Sequence, residues 1–125
     1  METRELDDPY EQLLVGVGLF NAGRFYECHE VWEEVWFGVD PASNLATVMR
    51  GLIQAAAALH HLQGGNLKGA RSLWRKAHER FQQVPAELLP VNLAELERAM
   101  TQAMASDEHP LPQLYLTDSG QTRDQ

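Results

Sequence analysis

At 125 residues, 44% hydrophobic and 22% charged, the chain has the size and composition of one globular domain that buries a core without disulfides or a structural metal. Its single cysteine, Cys28, excludes an intrachain disulfide and suits a reducing compartment. A formal net charge of -8 opposes nucleic acid and anionic lipid as a bulk effect, and no apolar run approaches the roughly 18 residues of a membrane span.

The opening residues, Met1 to Asp8, are acidic and lack the basic-then-apolar build of a signal peptide, so the expected location is the cytoplasm. The first helix is expected over Pro9 to Asn21, with Asp8 as N-cap, Pro9 at the first helical position and Gly23 as the C-terminal stop. Gly16 and Gly18 inside it each cost about 1 kcal/mol relative to alanine, which suggests a helix packed close by. A second helix runs from about Arg24 to Trp36 and ends before Gly38 and Asp40-Pro41.

The third starts near Ser43 and reaches Gln63. It is apolar nearly all round, from Leu45 through Leu52 to Leu59, and so should be the central buried helix. Gly64-Gly65 stops it, and Asn66 caps a fourth helix that runs to about Gln83. A fifth, from Asn92 to about Ala105, carries Leu93, Leu96, Met100 and Ala103 at helical spacing. No segment alternates with period two, so no strands are expected. Residues 1–116 read as a single all-α domain of about five helices, two hairpins plus a C-terminal helix. Leu111, Leu114, Tyr115 and Leu116 could lie on that bundle, and residues 117–125 read as a disordered polar tail.

The chain repeats itself at an offset of 42 residues. Gly23-x-Phe25-x-x-Cys28-x-x-Val31-Trp32 matches Gly65-x-Leu67-x-x-Ala70-x-x-Leu73-Trp74. Either a hairpin was duplicated, or both copies share the grammar of a glycine turn before an amphipathic helix. Charge does not repeat. Residues 1–34 are strongly acidic and residues 50–83 are basic, which reads as two solvated faces of opposite sign or as a basic face for a partner. Within the matched helices His29 corresponds to Arg71, and Glu33 to Arg75.

A helical wheel for the second helix puts Phe25, Cys28, Trp32, Val35 and Trp36 in one buried stripe. Glu27, Glu30 and Glu34 fall on the far, solvated side. His29 lies at the margin of the stripe with Glu33 one turn on. That i,i+4 spacing permits a hydrogen bond or joint ligation of a divalent transition metal, for which an imidazole supplies a neutral nitrogen and a carboxylate supplies charge. The pair reads equally as a satisfied polar contact under a tryptophan. Two donors do not complete a metal shell, and His60 is the third candidate, on the more apolar face of the third helix, with His61 pointing away. If the third helix returns antiparallel, Arg50 falls level with Glu33 and Glu34. An Arg50–Glu33 ion pair then competes with metal binding, and His60 falls a turn or more from His29. Tyr26, Trp36 and Arg50 are the further candidate binding residues. His78 and His109 look incidental. Cys28 lies in the buried stripe and reads as core rather than nucleophile. No phosphate-binding glycine loop, His-Glu-x-x-His or calcium loop is present.

The run from Phe20 to Trp36, with His29, Glu33 and Trp36 in the pattern His-x-x-x-Glu-x-x-Trp, resembles the hallmark of a prokaryotic family of small helical proteins, domain-of-unknown-function family 309. The stretch Arg50 to His61, with Gly65-Asn66 and Gly69-Ala70 after it, resembles that family's second block. The resemblance covers about residues 10–84. It implies an all-helical fold and a suggested metal role for the signature, and it carries no activity.

Three functions follow as alternatives. One is a metal-dependent enzyme in which His29, Glu33 and His60 hold a metal, or Glu33 acts as general base. Another is a non-catalytic module with a peptide or partner helix between its hairpins; each copy's second helix resembles that of a tetratricopeptide repeat, whose period of about 34 the offset here exceeds. In the third the pair is architectural. Nucleic acid and membrane are not expected partners; a small molecule, a protein or a second copy of the chain stays open.

Overall fold

Two tight turns organise the chain. In the computed structural model, which describes residues 9–105 and 110–117, Gly23 and Gly65 have φ of 79° and 84°, and no other described residue has a positive φ. Glycine enters this left-handed region freely, whereas a side chain there costs roughly 1–2 kcal/mol. The first turn joins α1 (Pro9–Asn21) to α2 (Phe25–Phe37), and the second joins α3 (Asn44–Gln63) to α4 (Leu67–Phe81). The turns are bonded alike. Arg24 N donates to Leu19 O and Asn66 N to His61 O, both at 2.9 Å. Gly23 N donates to Phe20 O and Gly65 N to Leu62 O, both at 3.0 Å. Behind them the same positions are buried, Cys28, Trp32 and Val35 in one copy and Ala70, Trp74 and Ala77 in the other. The internal repeat is therefore a repeat of structure, two helical hairpins joined by residues 38–43.

The helix starts follow from their caps. Ser43 Oγ accepts from Ala46 N at 3.1 Å, Asn66 Oδ1 from Gly69 N at 2.9 Å and Asn92 Oδ1 from Glu95 N at 3.0 Å. Each satisfies an amide that the first helical turn leaves free, worth about 1 kcal/mol. Arg24 makes no such cap; its guanidinium pairs with Glu27 instead, and α2 begins at Phe25. Asp8 lies outside the described residues, as do His109 and residues 118–125 of the expected tail.

The central helix α3 packs against both α2 and α4, and α5 (Leu93–Ala105) packs against α4. Val48, Leu52, Ala55, Ala56, Ala58 and Leu59 of α3 are fully enclosed. Gly51 belongs to the same surface: a Cβ there would stand 2.6 Å from the ring of Phe81. Close approach also explains Gly16, where a Cβ would stand 1.9 Å from Trp32 Nε1. Gly18 has no such role. It faces open space, because the hairpin partner of α1 lies on the other side of the helix.

After α5 the chain returns to α1. Leu114 is buried, while Leu111, Tyr115 and Leu116 stay largely exposed. Asn21 holds the segment: its Nδ2 donates to Leu114 O at 3.0 Å and its Oδ1 accepts from Leu114 N at 2.7 Å. Val91 and Leu116 form an isolated antiparallel bridge, and no named strand exists among the described residues. Thr117, expected as the start of the tail, donates its N–H to Pro90 O at 2.9 Å. The bridge continues one residue past the last apolar side chain, which a hydrophobicity argument does not register.

Candidate functional site

The antiparallel α2–α3 hairpin sets which side chains meet. Trp36 lies under the Arg50 guanidinium, 5.4 Å from its carbon to the ring centroid. Tyr26 and His60 are neighbours at 5.7 Å between rings. These contacts share one register, ten residues back along α2 and ten on along α3. Arg50 is thus level with Trp36, three residues beyond the level expected from the sequence, or roughly 4.5 Å along a helix. The Arg50–Glu33 ion pair does not form; a cation–π contact on Trp36 takes its place.

The same shift brings the end of α3 onto the start of α2. Phe25, Tyr26 and His29 from α2 and Ala57, His60 and His61 from α3 line one hollow of about 200 Å³. His60 is exposed rather than set on a buried face, and His61 turns to the same hollow instead of away from it. Both corrections have one cause: the last turn of α3 extends past the core, so its apolar wheel no longer decides what is covered. His61 Nδ1 is 3.2 Å from Asn66 Nδ2, which ties that ring to the Gly65 turn.

His29 and Glu33 do meet. Nε2 of the imidazole stands 3.6 Å from Glu33 Oε2, longer than a good hydrogen bond. The pair is neither buried nor free, with side chains 29% and 40% exposed. His29 Nδ1 is enclosed and has no hydrogen-bond partner. A proton on Nδ1 would find no acceptor, whereas one on Nε2 points toward the Glu33 carboxylate. Of the two neutral tautomers, the surroundings therefore suit the one with its proton on Nε2.

The candidate residues divide into two groups. Tyr26, His29 and His60 share the hollow, with Glu33 touching His29 from outside its lining. Trp36 and Arg50 form a separate contact further along α2. Among the described residues, no group of three or more histidine, cysteine, aspartate or glutamate side chains stands where it could hold a metal ion. His29 Nε2 and Glu33 Oε2 face each other as two donors, fewer than the three or four that a metal shell needs. Cys28 is fully buried, and loss of hydration pushes its thiol far above the ordinary range. His61, Phe25 and Ala57 were missed as lining residues. The adjacent His60-His61 pair just before a glycine turn was the available signal for the first.

His78 is not isolated: its Nδ1 is 3.6 Å from Glu97 Oε1, and burial raises the pKa of that carboxyl. This contact joins α4 to α5 and lies on helices that do not line the hollow.

Comparison with known proteins agrees with the geometry in extent. The model of the family described as Domain of unknown function (DUF309) matches residues 13–73. That span holds His29, Glu33, Trp36 and His60 together with the whole α2–α3 hairpin. An uncharacterized protein of Aquifex aeolicus is 32% identical over 89 residues, 71% of this chain and 26% of that protein. The uncharacterized protein YpuF of Bacillus subtilis is 42% identical over 55 residues, 43% of this chain and 31% of that protein. The matches thus span about a quarter to a third of these relatives' own lengths.

Proposed function

Residues 13–73 belong to the DUF309 family, and on that premise we propose that the domain is a binding module for a small planar molecule seated between α2 and the end of α3. The observation that carries this reading is the convergence of His29, His60, His61 and Tyr26 on one hollow from two helices. Four side chains with apolar rings and polar tips give stacking faces and hydrogen-bonding edges together. At about 200 Å³ the hollow is smaller than the roughly 300–1,000 Å³ of drug-sized sites, so its ligand is about one ring in size. Glu33 holds the His29 ring from outside, so that His29 is a fixed wall while His60, His61 and Tyr26 bring adjustable polar edges.

A carboxylate beside an imidazole is also how a general base is oriented. The hollow's lining adds no serine or cysteine that such a base would activate, which favours binding over covalent catalysis. Metal binding is a separate reading, favoured by three imidazoles on one hollow and opposed by the absence of a three-donor group among the described residues.

The test is a titration followed by the ring resonances of the histidines. Small aromatic acids and amides, and separately zinc, manganese and nickel, are added to wild type and to His29→Ala and His60→Ala variants. The proposal expects saturable shifts at His29, His60 and His61 with an organic probe, lost in both variants. Saturation by a metal alone would replace the small-molecule reading with the metal one. Shifts that survive both substitutions, or no shifts with any probe, would remove the hollow as a site.

A further inference from the structure

The two hairpins have matching backbones and opposite charges. Helix α2 holds four glutamates and no lysine or arginine, whereas α4 holds Lys68, Arg71, Arg75, Lys76 and Arg80 against Glu79 alone. Their buried positions correspond at the 42-residue offset, so their outward positions correspond too. Glu33 stands where Arg75 stands, and Glu34 where Lys76 stands. Glu30 and Glu34 are exposed, as are Lys68, Arg75 and Lys76, and none of the five makes an ion pair among the described residues. Tyr26 and Phe37, 57% and 72% exposed, flank the acidic stripe near its two ends.

We infer that the acidic face of α2 and the basic face of α4 are two halves of one interface, made between two copies of this chain. Each face has unpaired charges at helical spacing, and each is the other's complement in sign and length. Charge alone gives orientation and encounter rate more than affinity. The exposed rings at the ends of α2 are the apolar anchors that a charged contact needs. A two-fold arrangement makes the α2–α4 contact twice, and repeating it is the route to the roughly 1,200 Å² or more that a specific interface buries. Nucleic acid is a poorer occupant of the α4 face, because the rest of the molecule brings the net charge to -8.

The full chain is examined by sedimentation velocity, with circular dichroism to check that each variant keeps its helices. Two variants reverse one face each, Glu30→Lys with Glu34→Lys, and Arg75→Glu with Lys76→Glu. Wild type should sediment with the mass of two chains in dilute buffer and as one chain in about 0.5 M salt, where charges are screened beyond roughly 4–5 Å. Each reversal should weaken self-association at least about tenfold, and an equimolar mixture of the two should restore a complex of two chains. Wild type sedimenting as a monomer in dilute buffer would overturn the inference. So would a dimer indifferent to both reversals, or folded variants that fail to associate when mixed.

Discussion

The indole of Trp32 lies across Gly16, its nitrogen donating to Leu13 O at 3.2 Å and standing 1.9 Å from where a Gly16 Cβ would be. This contact closes the first hairpin. Trp32 is fully enclosed and stacks on Phe20 at 6.0 Å between rings. One glycine thus sets the distance between α1 and α2.

Gly16→Ala should therefore destabilise the protein by about 1–3 kcal/mol or more, because the methyl meets a ring held in a packed core. Gly18→Ala should be neutral or stabilise by up to about 1 kcal/mol, since its Cβ meets nothing and alanine is the better helix former. Trp32→Ala should cost about 3–5 kcal/mol. Urea unfolding of the three variants checks this, and equal effects at the two glycines would contradict the packing described.

The single thiol should be inert in the native state. Cys28 is buried, and removal from water holds it protonated well past neutral pH. A disulfide reagent such as Ellman's should label it only at the rate of unfolding, and at once in denaturant. Rapid stoichiometric labelling of folded protein would show that α2 opens locally.

Asn21 joins the two ends of the described chain, with hydrogen bonds to both backbone groups of Leu114 and, through its own carbonyl, from Gln113 Nε2 at 3.2 Å. Asn21→Ala leaves the Leu114 N–H and C=O without those partners in a half-buried place. The expected loss is about 1–3 kcal/mol. Leu114→Ala should cost about 2–5 kcal/mol. Denaturant midpoints check both; an unchanged Asn21→Ala protein would mean that the segment is held by Leu114 alone.

These contacts also mark what the sequence revealed. Glycines, Asn66 and Ser43 punctuate the chain, and each terminus they imply lies within two residues of the helix that forms, because caps and left-handed turns are local physics. The repeat was legible for the same reason. Asn21 was not, since its partner is 93 residues away and nothing local distinguishes a capping amide from a clasp. The site was half legible. The wheel brings His29 and Glu33 together within one helix, and they meet. It does not give the register between helices, and a three-residue error there put Glu33 in the place of Trp36 as the partner of Arg50; His60 was read as a third candidate, while the wheel turned His61 away from the hollow it lines.

The tautomer of His29 follows from the surroundings of its two ring nitrogens. Nδ1 is enclosed without a partner and Nε2 faces Glu33 Oε2 at 3.6 Å, so the neutral ring should carry its proton on Nε2. Long-range nitrogen–proton correlation spectra distinguish the two tautomers directly, because the bare and protonated ring nitrogens resonate far apart. Glu33→Gln keeps an acceptor at the same place and removes the charge. It should leave the Nε2–H form in place and change stability by less than about 1 kcal/mol, as expected for a partly exposed polar contact. Glu33→Ala removes the acceptor, and the ring should then populate both tautomers. A wild-type ring protonated on Nδ1 would mean that the enclosed nitrogen has found an acceptor and that Glu33 does not orient His29; the fixed wall of the proposed hollow would then be lost.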